Sequence, residues 1–283
     1  MRIGTETDAE YFGQKDKPAI GSSMLKLWIT DPHLYWARHV AKIVPDLDLG
    51  AVGHMGHAFE EIVLANNDRR IDSGFKTATA QKHIAACEAN PGKIVLTSSD
   101  YQTVDDMVAE ARKDPVLPAL ANAGMDQVTY RVDLGPIYIQ ARIDLDLEND
   151  AVPESACDHL QIQSETFDRL LIDLKTTATL YGRYGFRKTA LHQFHYPIQA
   201  AFYQHVVGLS GWPKSRFLFH ATAKDGTGCQ WMEFADPFGA SETIIKRALS
   251  DLCHRYGSGF WDDFQPRVES VLVPENYLQW SEV

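Results

Sequence analysis

The sequence predicts an α/β fold, a mixed central β-sheet flanked by helices and preceded by a largely helical N-terminal portion. Two observations predict it. Apolar residues recur at helical spacing through positions 22–124, and period-two alternation with turn signals takes over near 126. A helical stretch then interrupts the strands, the order expected of helices packed on a sheet. The 283 residues, 45% hydrophobic and 23% charged, suffice for one sizeable core. We read residues 1–21 as a loose lead-in and 22–283 as one domain. Its helical part is 22–124, its sheet core 125–235, and its closing helix and tail 236–283.

Each element has a local cause. Ser22 and Ser23 precede Met24, Leu25, Leu27 and Trp28, which predicts a short capped helix. Asp31-Pro32 starts a second by the N-cap and proline-at-N1 rule, running to about Lys42. Residues 51–66 form a third helical pattern, and 77–123 read as helices separated by Asn90-Pro91-Gly92 and by Asp114-Pro115. Residues 128–134 and 137–147 alternate around Gly135-Pro136, a hairpin. The polar, aperiodic residues 148–168 are expected to be a surface loop. Residues 170–175 read as a buried strand, 195–207 as a helix, 216–223 and 230–234 as strands, and 240–255 as an amphipathic closing helix.

Lys+Arg 27 against Asp+Glu 38 gives a net charge of −11, which argues against a protein that simply coats nucleic acid. Cys87, Cys157, Cys229 and Cys253 contain no CxxC, so no zinc ribbon or local iron–sulfur motif is visible. No apolar N-terminal signal segment and no run of ~20 apolar residues is present. These features predict a cytoplasmic protein with reduced thiols and no membrane partner. No GxxxxGK[ST] occurs, so no nucleotide cofactor is expected.

The sharpest local signal is Asp173-Leu174-Lys175. On a strand Asp173 and Lys175 project to one face while Leu174 points into the core. An acid beside an amine at a strand end suits metal-dependent hydrolysis, the carboxylate holding a divalent ion and the amine orienting a water. The alternative is a surface ion pair. Asp144 and Asp146 alternate onto one face of the preceding strand and could supply a second carboxylate to Mg²⁺. Asp144, in the more apolar setting beside Arg142 and Ile143, is the better ligand candidate. Asp146 and Glu148 are expected on a solvated face.

Residues 53–61 read Gly-His-Met-Gly-His-Ala-Phe-Glu-Glu, placing His57 and Glu61 four apart on one helical face. His54 and His57 would suit zinc, but no third His or Cys accompanies them and HExxH is absent. A histidine supplementing a carboxylate Mg²⁺ or Mn²⁺ site and a histidine packed on the core both remain open. Gln199 and Tyr203 are likewise four apart, on the helix after the Asp173 strand. From 174 to 224 the chain has seven Lys or Arg and no Asp or Glu. Such a basic, aromatic-bearing segment beside acids fits a phosphodiester-cutting site. Its alternative is a chance fluctuation on an exposed helix.

Gly53…His57, Arg142…Asp144, the run Asp173-Leu-Lys-Thr-Thr and Gln199-x-Ala-Phe-Tyr203 occur in that order. Over about residues 22–205 the chain resembles the PD-(D/E)XK (restriction-endonuclease-like) nuclease superfamily. Within it the chain is similar to the RecE-type, exodeoxyribonuclease VIII-like exonucleases, relatives of lambda exonuclease and RecB nuclease domains. The opening Ser-Ser helix also looks like that group. The resemblance implies a Mg²⁺-dependent exonuclease, with Mn²⁺ as a substitute, that degrades linear double-stranded DNA from its ends, 5′ to 3′. It would leave 3′ single strands for an annealing recombinase and form a ring-shaped homo-oligomer, a trimer or tetramer. It assigns His57, Asp144, Asp173 and the Leu174 backbone carbonyl to the metal, and Lys175 to the attacking water. Gln199 and Tyr203 would shape the site. Arg183, Arg187 and Lys188 are expected phosphate contacts, with Glu61, Arg142 and Thr176 as secondary candidates. No iron–sulfur cluster is expected. An endonuclease or a single-strand nuclease of the RecB/Cas4 type, and a non-catalytic DNA-binding protein of the same fold, are the alternatives.

Overall fold

A computed structural model describes residues 2–7, 10–11, 13, 16–45, 50–65, 67–75, 80–236 and 239–264. In chain order the elements are β1 (Arg2–Thr5), β2 (Ala19–Ile20), α1 (Ser22–Thr30), α2 (Pro32–Tyr35), α3 (Gly50–Leu64), β3 (Arg70–Asp72), α4 (Ala80–Ala89) and β4 (Ile94–Leu96). They continue with α5 (Ser98–Lys113), α6 (Leu117–Ala123), β5 (Met125–Asp133), β6 (Tyr138–Glu148), α7 (Glu154–Leu160), β7 (Arg169–Thr177), α8 (Phe186–His192), α9 (Tyr196–Leu209), β8 (Ser215–Ala223), β9 (Cys229–Met232) and α10 (Ala240–Ser258).

The main sheet runs β1-β5-β6-β7-β8-β9, with β2 added alongside β6. Its hairpins are antiparallel, but β7 and β8 are parallel. That connection needs a crossover, which α8 and α9 supply. One apolar layer packs α1, α9 and α10 on one face, around Leu25, Phe202, Val206 and Leu252. A second packs α3, α5 and α6 on the other, around Phe59, Met107 and Leu120. The sheet is therefore buried on both sides, as its Val/Ile/Leu-rich centre requires.

Strand β6 serves both layers. Ile139, Ala141 and Ile143 face the first, yet Leu145 and Leu147 face the second. Strict alternation would have kept all five together. The β5–β6 ladder skips the Gln127/Asp144 pair, and Gln127 takes a left-handed φ of 51° there. This local irregularity swaps the faces at Asp144 without inserting a residue, since the register is the same on both sides of it. Asp144 and Asp146 are therefore not equivalent neighbours on one face. Asp146, expected on a solvated surface, is buried, with Tyr130 Oη and Arg169 Nε donating to its carboxylate. Glu148 is exposed and pairs with Arg169 at 3.2 Å.

Four further expectations are corrected. Residues 1–21 are more than a lead-in, because β1 and β2 pair with β5 and β6. The buried Arg131–Glu6 ion pair at 2.8 Å anchors the segment after β1. Ser22 and Ser23 lie inside α1, whose N-cap is Gly21. Asp31 does cap α2, accepting from the Leu34 amide at 2.9 Å, but the α-helix ends at Tyr35 and a π turn, Trp36–Val40, follows. Residues 148–168 are no simple loop. They hold α7, and Ala156, Cys157, Ile162 and Phe167 are buried in the second layer. The sheet-core expectations at 128–134, 137–147, 170–175, 216–223 and 230–234 match β5 to β9 within a few residues.

Candidate active site

The site forms where β6 and β7 separate. Their ladder is registered from Leu145↔Ile172 onward, toward Glu148. Beyond it, Asp144 Oδ2 accepts the Leu174 backbone N–H at 2.8 Å. The acid thus bridges two strands in place of a ladder bond. Asp173 follows Leu171 of the first layer by two residues, so both face α9. There Gln199 Nε2 donates to Asp173 Oδ1 at 2.7 Å. Lys175, two residues further along the same face, forms an ion pair with Asp173 Oδ2. Leu174 is buried in the second layer.

A second amine borders this pair. Lys26 of α1 donates to the Phe194 carbonyl at 3.1 Å and to Gln199 Oε1 at 3.4 Å. Both lysines lie over the Tyr196 ring, Lys175 at 5.3 Å and Lys26 at 5.4 Å from its centroid. Burial, reinforced by the Lys175 charge, lowers the Lys26 ammonium to about 8. For Lys175 burial also acts downward, but Asp173, Tyr196 and Asp144 outweigh it and hold the ammonium above its usual pKa. Lys175 is therefore a firmly charged donor.

Glu60 of α3 is the acid that sequence reasoning missed in favour of Glu61. Burial and then the Asp173 charge push its carboxyl up to about 7. Burial, then Glu60 and Asp173, raise Asp144 well above the ordinary carboxylate range. Three carboxyls therefore sense one another, with Lys175 offsetting part of their charge. Gln127 at the β5 irregularity donates its side-chain amide to Glu60. Gly56 of α3 lies beside Thr176, where a Cβ would make ordinary contact at 3.9 Å, so α3 runs over the end of β7 with Glu60 one turn later.

The remaining expected residues are placed as follows. His57 Nε2 lies 3.2 Å from Glu61, which Arg69 also binds. His57, Glu60, Glu61, Arg69, Gln127 and Arg142 share the lining of one cleft of about 350 Å³. Arg142 lies over the Tyr11 ring, 4.8 Å from its centroid. Tyr203 is buried and receives a 3.5 Å hydrogen bond from Ser22 Oγ of α1. Arg183, Arg187 and Lys188 are exposed on the excursion between β7 and α9.

The chemistry of the donor set fits a hard divalent cation. Mg²⁺ commonly takes one or two carboxylates and fills its shell with water and substrate oxygens. Asp144 and Asp173, with Glu60 beside them, offer oxygen donors whose mutual repulsion a cation would relieve. Among the described residues no group of three or more His, Cys, Asp or Glu side chains is placed to hold a metal ion, so the protein's share of the shell is at most two such side chains, with water and substrate oxygens for the rest. Cys87, Cys157, Cys229 and Cys253 are free thiols. No helix among the described residues is long and apolar enough to cross a membrane.

No family model matches the sequence, and no curated protein matches it. Among solved structures the chain is similar to a "putative exonuclease" from Eubacterium rectale, at 14% identity and a TM-score of 0.57. That alignment covers 97% of this chain and 98% of the other. A second structure, SSO0001, aligns at 14% identity and a TM-score of 0.31, over 72% of this chain and 85% of that one. The end-to-end likeness to the first shows a shared α/β fold, a mixed sheet with flanking helices.

Proposed function

We propose that the protein is a metal-dependent deoxyribonuclease, and specifically a Mg²⁺-dependent exonuclease acting on the ends of linear double-stranded DNA. The observation that carries this is the convergence of Asp144, Asp173, Lys175 and Gln199 where β6 and β7 part. The similarity in fold to a protein described as an exonuclease supports it.

In this reading Asp144 and Asp173 would hold the metal with the Leu174 carbonyl, and Glu60 and His57 would stand beside it as candidates for substrate-bound contacts. The ion, when bound, supplies Lewis acidity at the phosphodiester and lowers the pKa of a bound water. The chain's own groups do the rest. Gln199 fixes the Asp173 carboxylate by its 2.7 Å hydrogen bond. Lys175 stays protonated, so it donates a hydrogen bond to a nucleophilic water or to a phosphate oxygen and offsets developing negative charge. Lys26 adds a second positive group beside Tyr196. Arg183, Arg187 and Lys188 grip backbone phosphates, giving binding a salt dependence. Digestion 5′ to 3′, a ring-shaped trimer or tetramer, and a single-strand annealing partner complete the proposal.

The test is a gel time course on linear duplex and closed circular DNA, with Mg²⁺ or with EDTA. Strands are labelled at either end, and Lys175→Ala runs in parallel. Loss of linear DNA alone, requiring Mg²⁺ and Lys175, is the expected result. Cutting of the circle would assign an endonuclease, and wild-type rates for Lys175→Ala would overturn the site.

A further inference from the structure

Three aromatic rings stand in a column that is buried at one end and open at the other. Phe219 of β8 is fully buried. Tyr196 stacks on it with ring centroids 5.1 Å apart and planes inclined by 16°. Phe194 stacks on Tyr196 at 5.5 Å and 20°, and is 44% exposed. The middle ring carries Lys175 and Lys26 over it. The outer ring thus lies one ring away from the lysine at the candidate site.

The same stretch gathers exposed apolar side chains. Of the ten large exposed hydrophobics among the described residues, four (Tyr181, Tyr184, Leu191 and Phe194) fall within fourteen residues. All four belong to one excursion of the chain, the segment from the end of β7 to the start of α9. Gly185 helps create it. A Cβ there would lie 2.6 Å from the Leu180 carbonyl oxygen, so only glycine lets the chain turn back this tightly. Tyr181 and Tyr184 flank that turn, at 66% and 70% exposure, and Arg183 lies 5.6 Å from the Tyr184 ring centroid. The residues from 174 to 224 contain no acid.

We infer that Phe194, with Tyr181 and Tyr184, is a stacking platform for the bases of an unpaired DNA strand end, whose terminal phosphodiesters it delivers to Lys175. The inference rests on the hydrolytic reading and deepens it by naming the substrate state: a frayed, single-stranded terminus rather than closed duplex. Pairs inside a duplex expose only their edges, and an unpaired strand frees the faces of successive bases, which an open ring in a cation-lined, acid-free segment accepts whatever the sequence. A buried column backs the outer ring, so stacking there costs little further ordering.

The experiment measures binding of the full chain to two labelled oligomers of equal length, one single-stranded DNA and one abasic, by fluorescence anisotropy in EDTA. Stacking of one base is worth roughly five- to a hundred-fold in affinity. The expected result is at least tenfold tighter binding of the base-bearing strand by the wild type. Phe194→Ala and the Tyr181→Ala/Tyr184→Ala double variant would each reduce that ratio, and Phe194→Tyr would keep it. Phe194→Leu, which preserves apolar packing on Tyr196, should behave like the alanine variant and so separates stacking from misfolding. Equal affinity for the two strands overturns the inference, as does an unchanged ratio in Phe194→Ala. A change in oligomeric mass without a change in ratio would also overturn it, making the patch a subunit contact. An active nuclease indifferent to bases would refute stacking alone. A base-selective protein that cuts nothing would refute hydrolysis alone.

Discussion

Gln199 and Asp173 are joined by a 2.7 Å hydrogen bond between the helix that crosses from β7 to β8 and the strand it crosses from. The bond leaves Asp173 Oδ2 to Lys175, and Lys26 on Gln199 Oε1 sets which way the amide points. A hydrogen bond to a charged group is worth about 1.5–3 kcal/mol. Gln199→Leu should therefore lower kcat on linear duplex roughly 10- to 100-fold. Thermal unfolding of Gln199→Leu, compared with wild type, checks that the loss is local: Tm should move by only a few degrees.

Glu60 gives the site a pH signature. Its carboxyl is raised to about 7 in the folded chain, above its ordinary value, so between about 4.5 and 7 the folded state holds more protons than the unfolded one. Stability of the metal-free protein should consequently fall as pH rises through that window. Glu60→Gln should flatten the slope in denaturant titrations at pH 5 and pH 8, and raise the Mg²⁺ concentration for half-maximal activity several-fold.

Asp114 behaves in the opposite sense. Burial would raise its carboxyl, but His220 and the Leu117 and Val116 amides prevail and hold it at about 2. Its contribution is thus complete above its unfolded pKa near 4 and is lost as pH falls toward 2. The shift corresponds to ~2 kcal/mol. Asp114→Asn should lower Tm at pH 7 by several degrees and shrink the loss of stability between pH 4 and 2, measured by calorimetry.

Asp146 and Arg169 are both buried and paired at 2.8 Å, with Tyr130 completing the acid's bonding. Removing Asp146 leaves Arg169 only its 3.2 Å ion pair with the exposed Glu148, at a cost of up to about 3–5 kcal/mol. Asp146→Ala should therefore be among the more damaging single substitutions outside the site. The double variant Asp146→Leu/Arg169→Met should recover much of the loss, as read in urea midpoints.

The sequence made the sheet legible because β5 to β9 either alternate or run apolar between clear turns, and both patterns are local. Asp173 and Lys175 were legible for the same reason: strand alternation fixes which side chains share a face. Asp144 was legible from its apolar setting beside Ile143, because alternation fails at that position. Glu60 was not. Adjacent acids on a helix point about 100° apart, and only the docking of α3 on β7 decides which one meets the acids. Asp146 misled because the face swap at Gln127 depends on one left-handed residue that no periodicity announces. Strands of two to four residues, such as β2 and β4, exist only through their partners, so isolated patterns could not reveal them.

The face swap along β6 has a consequence for how the molecule comes apart. A single strand roots its first half in one apolar layer and its second half in the other. Neither layer can melt without pulling on the backbone that anchors its counterpart. The protein should accordingly lose both layers in one cooperative step, with near-identical hydrogen-exchange protection for the amides of Ala141 and Leu147. Asp144 sits at the pivot of that shared strand, so opening that removes either layer also dismantles the acid cluster.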